Sequence, residues 1–512
     1  MSSEVTTDCL VIGAGPAGLQ ASYLLKQAGR EHLVLEAGQA AGTFFTRFPR
    51  HRQLISINKI HTGWDDPELN LRVDWNSLLS DDPDLLFTGY TPRYFPDADD
   101  MVRYLGDFAV KNDLPVRYDT RVVSVTRPDD FVVSDQHGGT YRAKRVIVAT
   151  GVSQPYVPDI DGVEHAEHYY DVSVDPQDFT NKKVLIIGRG NSAFETADAL
   201  VETASVIHVA GPGSLKLAWQ THFVGHLRAV NNNFLDTYQL KSQNAVLDGH
   251  IAGIRRDDEG FHVKVSFQRV NEVVKEIRYD RVILATGFRF DASIFAPECR
   301  PQLTIRSRFP DQTAAWESVN VPDLFFAGTI TQMRDFKKST SGFIHGFRYG
   351  VRALHRITEQ RYHGVDWPSR SVQDLTDAII ERVNRTSALW QLFAFLADAV
   401  LISGDGSARY VEEVPVAHLH EAVARGEFGD VESYLTVTLE YGADHDKVNP
   451  FDITAGRTAQ DDTSGLDGRY LHPVVRRFRG GELVDEHHIT ENLENEWDSE
   501  TVHKAPLREY LR

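Results

Sequence analysis

The chain has 512 residues, too many for a single hydrophobic core, so two or three domains follow. Its 41% hydrophobic and 25% charged residues are ordinary for a globular protein. A formal net charge of -19 disfavours nucleic acid and anionic membranes as partners, because both would repel it.

The chain opens MSSEVTTDCLVIGAG, with no basic segment ahead of an apolar one, so no secretory signal is predicted. Residues 9–12 form a short apolar run, the pattern of a parallel strand buried on both faces. Gly13, Gly15 and Gly18 follow as GxGxxG, with Pro16 and Ala17 inside the turn. The first glycine allows a tight turn, the second lets backbone approach a pyrophosphate, and the third lets helix pack on strand. A helix over residues 19–28 is ended by Gly29, and its N-terminus points partial positive charge at phosphates. A second strand, residues 32–35, runs into Glu36 and Ala37, where a carboxylate grips a ribose hydroxyl. Strand, glycines, helix, strand and acid arrive in order, and the GPAG form with Glu36 favours FAD over NAD.

Residues 42–58, GTFFTRFPRHRQLISIN, should pass close to a flavin ring. Thr43, Phe44 and Arg47 are candidate FAD contacts, and Asn58 and Lys59 are candidate catalytic residues. An amide at Asn58 could donate a hydrogen bond to a flavin peroxide; the alternative is a turn residue. The basic cluster Arg47, Arg50, His51 and Arg52 suits phosphates or an acidic substrate, or else is solvated surface. Alternating strands over residues 121–141, with Val123 among the candidate FAD contacts, lead to RVIVATG at residues 145–151. Ala149, Thr150 and Gly151 close that strand against the cofactor.

A second strand-turn-helix-strand unit lies inside the chain. Residues 184–187 run into Gly188, Gly190, Asn191, Ser192 and Ala193, the last replacing a third glycine. A helix is predicted over 192–203 and a strand over 206–210. The strand is followed by GPGSLK, without an acid, which leans toward NADPH with NADH as the alternative. Ser214, Lys216 and Arg228 are candidate phosphate partners. Strand-like residues 246–279 lead to RVILATG at 281–287, so Thr286 and Gly287 echo Thr150 and Gly151 and the plan is duplicated. A closing strand, residues 324–327, reaches Gly328, with Thr329 where an acid is usual. A helix is predicted after Ser339, Thr340 and Ser341, running through GFIHGFRYGVRALHRI, with Phe343 a candidate cofactor contact; its N-terminus should face the flavin N1–C2 edge.

The expected class is therefore α/β, with an FAD-binding domain from residues 1–160 and 290–365, an NAD(P)-binding domain over 161–289, and an α+β C-terminal region over 366–512. Residues 371–403 read as helix, packing on the body or on a second subunit, which leaves a homodimer open. The apolar stretch 388–403 is broken by Gln391 and Asp398 and falls short of the roughly 20 residues a membrane span needs. No membrane contact is expected, and a cytoplasmic location is the default. Strands are predicted at 434–441 and 474–478, while His472, His487 and His488 fit no zinc spacing, so no metal is expected. Cys9 and Cys299 are not in a CxxC pair, which disfavours a disulfide framework, a thiolate metal site and a thiol relay beside the flavin.

The segments GAGPAGLQ, GTFFTRFPRHRQLISINK, NLRVDWNSLLS, IGRGNSAFETAD, KLAWQTHFVGHLRAVNNNFLDTYQLKS and KKSTSGFIHGFRYG resemble the class B flavin monooxygenase group. They are most similar to the FAD-dependent oxidoreductase domain-containing proteins, whose animal members sit in the endoplasmic reticulum, and the likeness continues through YLHPVVRRF and PLREYL. The resemblance implies an NAD(P)H-dependent FAD monooxygenase that acts through a flavin C4a-(hydro)peroxide. Its partners would be molecular oxygen and a small organic substrate with an amine nitrogen, a sulfur or a carbonyl. The fingerprint FxGxxxH is reduced here to IDGVEHAEHYYDV, where His168 matches its histidine. A dehydrogenase or oxidase without oxygen insertion, and a flavoprotein scaffold for protein binding, are the other readings.

Overall fold

The computed structural model describes residues 4–241, 243–268, 273–466 and 468–512; residues 269–272 of the second predicted strand region lie outside these. Three sheets carry the fold, and each is built by a different stretch of pattern.

The first sheet has the order Val116–Arg117, His32–Leu35, Glu4–Ile12, Thr140–Val148, Phe131–Asp135 and Val122–Thr126. Its centre is parallel: Cys9 to Ile12 pair with His32 to Leu35 on one side and with Arg145 to Val148 on the other. Leu324–Phe326 returns from far along the chain to pair in parallel with Val146 to Val148. Leu10, Val11, Val34, Val146 and Leu324 are fully buried, as a sheet covered on both faces requires. The helix Pro16–Gln27 packs on one face together with the helix Ile344–His363.

The second sheet repeats the plan in the order Val274–Tyr279, Gly260–Phe267, Ala245–Asp257, Val206–Gly211, Lys183–Ile187, Arg281–Leu284 and Glu167–His168. Chain crosses between the two units at Gln154–Pro155 and Phe288–Arg289, which pair antiparallel.

The third sheet is antiparallel, in the order Ser369–Arg370, Ala408–Pro415, Leu396–Ile402, Ser433–Glu440, His472–Arg479 and Glu482–His488. This corrects the helix expected over residues 371–403. The helix Leu375–Arg385 and a short turn Ala388–Gln391 form, but Leu396–Ile402 is a strand flanked by partners on both edges. A strand buried on both faces reads as an unbroken apolar run, which periodicity cannot separate from a buried helix. Its Asp398 is fully buried and accepts from Arg382 at 2.8 Å and from the Glu413 N–H at 3.0 Å.

Arg382 ties this sheet to the rest, also donating to Glu413 at 3.1 Å and to Glu68 at 3.0 Å. Burial pushes the Glu413 carboxyl up, but Arg352, Arg356 and Arg382 outweigh it and hold it at about 2. Burial leaves Asp398 raised, at about 6. Breaking such a buried network costs far more than breaking a surface pair. Among the described residues no helix is long and apolar enough to cross a membrane.

Candidate functional site

The first glycine turn is built for close backbone approach. Gly13 has φ +105°, and a Cβ there would sit 2.8 Å from the Ala149 carbonyl oxygen. A Cβ on Gly18 would fall 1.8 Å from the Gly13 oxygen, so helix and turn touch through backbone alone. Gly15 is the opposite case: its Cβ direction meets nothing within 4 Å. The helix starts with Pro16 at its first position and has no side-chain cap, which leaves its N-terminus to a ligand. At the end of the next strand Glu36 Oε2 accepts the Ala14 N–H at 2.7 Å, and Oε1 accepts the Gly38 N–H at 2.9 Å. Open space at Gly15, an uncapped helix and an oriented carboxylate together fit the pyrophosphate and adenosine ribose of FAD.

The remaining candidates of this unit sit around that frame. Thr43 opens a short helix and donates to the Ala40 oxygen at 2.9 Å; Phe44 in the same helix is exposed and stacks on Phe48. Val123 is an exposed position of its strand, Ala149 abuts Gly13, and Gly151 has φ +63° just after Thr150. Gly328, φ +82°, lies against Ala17, so the returning strand meets the first helix at the turn. Thr329 donates to the Gly342 oxygen at 3.1 Å, beside Phe343, the N-cap residue of Ile344–His363.

The second turn copies the first. Gly188 has φ +135° and a Cβ would meet the Ala285 oxygen at 2.1 Å, while Gly190 faces open space. The helix Asn191–Leu200 is again uncapped, with Ser192 in its first turn and Ala193 fully buried. Asn191 Nδ2 donates to the His226 oxygen at 2.9 Å and Oδ1 accepts the Arg228 N–H at 2.9 Å, pinning residues 226–228 at the turn. Thr286 donates to the Tyr156 oxygen at 2.5 Å, beside Gly287 at φ +89°. Open space at Gly190 and the uncapped helix fit the pyrophosphate of a second dinucleotide here, without a strand-end carboxylate like Glu36.

Two expectations need correction. Asn58 is buried, and its Nδ2 donates to the Thr91 oxygen at 2.8 Å and the Arg93 oxygen at 3.2 Å. Both amide protons are spent, so it has none to give a peroxide; only Oδ1 lacks a partner. The neighbouring Lys59 is exposed. The basic cluster is chiefly a brace between units: Arg47 donates to the Tyr170 oxygen and to Asp171, and Arg50 to the Val172 oxygen at 2.7 Å. Arg52 pairs with Asp99, and burial pushes His51 down to about 4. His168 lies in the edge strand Glu167–His168 and stacks on Tyr170.

Sequence reasoning missed two features. Arg189 crosses the ends of the second unit's strands, donating to the Gly213 oxygen, to the Leu247 oxygen at 2.6 Å and to Asp248 at 2.6 Å. The residue lies inside the glycine motif, and only packing shows where its side chain goes. The other is an aromatic column where the two units meet the helix Ile344–His363. The Arg228 guanidinium lies 5.1 Å over Trp75, Trp75 stacks on His345 at 4.3 Å, and Phe343 follows at 6.0 Å from His345 and 5.8 Å from Phe223. His345 is 2% exposed, and neither ring nitrogen completes a hydrogen bond of normal geometry. Burial, then Arg348 and Arg228, push it well below its ordinary range, with the Trp75 backbone compensating in part. The signal was available in GFIHGFRYG, where a histidine lies in the first turn of the helix Ile344–His363.

Residues 10–328 match the family model described as pyridine nucleotide-disulphide oxidoreductase. The chain is 40% identical to FAD-dependent oxidoreductase domain-containing protein 2 of Mus musculus, over 98% of this chain and 83% of that protein. It is 37% identical to the Danio rerio protein of the same name, over 98% and 82%. A flavin-containing monooxygenase from Stenotrophomonas maltophilia superposes with a TM-score of 0.55 at 20% identity, covering 70% of this chain and 99% of that one. The bacillithiol disulfide reductase of Staphylococcus aureus gives 0.54 at 18%, with the same coverage, so fold is what these two structures share with it. The chain is a flavin-dependent member of the pyridine nucleotide-disulphide oxidoreductase family and, within it, of the FAD-dependent oxidoreductase domain-containing proteins.

Proposed function

We propose that this oxidoreductase is an NAD(P)H-dependent monooxygenase that uses molecular oxygen on a small organic substrate with an amine nitrogen, a sulfur or a carbonyl. The observation that carries this is the state of the cysteines. Cys9 is buried in the first strand, and burial pushes its thiol up to about 12. Cys299 is buried and donates to the Val125 oxygen at 3.1 Å. Neither is a thiolate poised to relay electrons, so a small acceptor must take them directly.

FAD, when bound, supplies two-electron redox chemistry between a reduced nicotinamide and oxygen. The chain's share is placement and exclusion of water. Gly13, Gly15, Gly18 and Glu36 would hold the flavin nucleotide, and Gly188, Gly190, Asn191 and Ser192 the nicotinamide one. Half-buried Trp75 and Phe343 flank the buried His345 at the start of the helix Ile344–His363. Burial and the nearby Arg348 and Arg228 favour the neutral form of His345, and the Trp75 backbone opposes them.

One observation favours the second reading, reduction of oxygen to hydrogen peroxide without insertion: the spent amide of Asn58 removes the donor expected to retain oxygen. Turnover with labelled dioxygen and panels of amines, sulfides and ketones decides. Label in product, with less than one peroxide released per NADPH, supports the monooxygenase. Stoichiometric peroxide with every panel member replaces it by the oxidase.

A further inference from the structure

The two nucleotide units present cations to one another. Lys216 and His226 come from the second unit; Arg306, Arg308 and Lys337 come from the stretch that returns to the first sheet. The Arg308 guanidinium lies 5.3 Å from the Phe309 ring and 6.0 Å from the Phe336 ring, and Lys337 Nζ lies 5.3 Å from that same Phe336 ring. Two cations thus share one phenyl group. Lys337 is exposed as a residue, yet partial desolvation of its ammonium lowers it below its ordinary value, and Arg308, Lys216 and Arg306 lower it further. Burial, then Lys337 and Lys216, bring His226 to about 4. The charged groups that shift these two are cations, in a chain whose net charge is -19.

The backbone is shaped to hold them there. Leu303–Thr304 pairs with Phe309–Pro310, and the loop between has Ile305, Arg306 and Ser307 at φ +52°, +59° and +58°. Lys337 is also left-handed, at φ +60°. None of the four is glycine, and strain of this kind collects where a loop must present side chains to a ligand. His226 Nδ1 lies 2.6 Å from the Thr221 hydroxyl, while Nε2 is buried without a partner. The cluster is placed by two contacts already described, Asn191 on the His226 carbonyl and Phe223 on Phe343.

We propose that Lys216, His226, Arg308 and Lys337 form a phosphate site that both nucleotide units must close together. The proposal rests on the two-nucleotide reading of the fold but not on oxygen insertion. The chemistry selected is a phosphate dianion, brought either by NADP(H) or by a phosphorylated substrate. Its charge would relieve the mutual repulsion of the cations, and the guanidinium and ammonium would donate charge-assisted hydrogen bonds to it.

The test is calorimetric titration of the oxidised, FAD-loaded full chain with inorganic phosphate, NADP+ and NAD+. Wild type is compared with Lys337→Gln and Arg308→Gln, each checked for flavin content and melting temperature. Lys337 is exposed, so its variant keeps the fold testable. Saturable phosphate binding that weakens about tenfold in each variant supports the site. If NADP+ weakens alongside while NAD+ does not, the nucleotide brings the phosphate; if NADP+ is unchanged, a substrate brings it. Phosphate binding that never saturates, or that is equal in wild type and folded variants, overturns the site. Because no turnover is read, failure of the monooxygenase reading leaves this result standing, and the reverse holds too.

Discussion

At the end of its second strand the first nucleotide unit carries Glu36, a carboxylate held by the Ala14 and Gly38 N–H groups. The second unit has Gly211 at the end of its second strand, and a Cβ there would meet the Arg189 side chain at 3.1 Å. One strand end therefore offers negative charge and the other a guanidinium. A carboxylate accepts ribose hydroxyls and repels a 2′-phosphate, whereas a guanidinium pairs with one. The turns differ as well. Gly18 leaves no room for a methyl group, yet Ala193 occupies the corresponding place in the second unit. Duplicated topology sets where a dinucleotide lies; single side chains at the turn and the strand end decide which one.

The largest expected effect is at the tighter turn. Gly18→Ala must push helix against turn backbone and should cost about 3 kcal/mol, seen as a lowered melting temperature and lost flavin absorbance. Ala193→Gly in the second unit should cost only about 1 kcal/mol. Equal, small losses at both sites would mean the turns do not differ in tightness. Next come Gly15→Val and Gly190→Val, whose Cβ atoms enter open space, so folding should survive. The first should yield colourless protein. The second should keep its FAD but be reduced by NADPH about a hundredfold more slowly, because a side chain there blocks pyrophosphate. Flavin loss from Gly190→Val alone would exchange the two assignments. Glu36→Gln is milder: it turns an amide against one of two backbone donors, a mismatch of about 1–3 kcal/mol. Flavin affinity, titrated after stripping, should fall about tenfold or more while NADPH affinity holds.

Much of this comparison was legible because its signals are local. The spacing of Gly13, Gly15 and Gly18, the repeat at Gly188 and Gly190, and the two ATG strands each lie within a few residues. What was not legible depended on distant partners. Arg47 looked like a phosphate ligand until Tyr170 and Asp171, more than a hundred residues on, were seen to occupy it. Asn58 had the right chemistry for an oxygen site, but the Thr91 and Arg93 carbonyls already bond its amide. Residues 396–402 carry an apolar run that predicts helix as readily as strand, because a strand buried on both faces has no polar face to betray its period.

The smallest effect is the most informative about the strand ends. Arg189 stands where an acid would select NADH, and its guanidinium is held by the Leu247 carbonyl and by Asp248, both at 2.6 Å. The Arg189 side chain is 10% exposed and that of Asp248 34%, so the pair is only partly screened, and losing it with its carbonyl contacts should cost about 1–3 kcal/mol, which a folded domain withstands. Arg189→Ala should therefore fold normally. It should weaken NADPH about tenfold, as removing one charge-assisted contact does, and leave NADH nearly unchanged. Asp248→Asn should move the ratio the other way, because the carboxylate competes with a phosphate for the guanidinium. Dissociation constants for both nucleotides on the oxidised protein check this. If Arg189→Ala lowers both affinities together, Arg189 only braces the strand ends, and the charge contrast with Glu36 has no part in choosing the nucleotide.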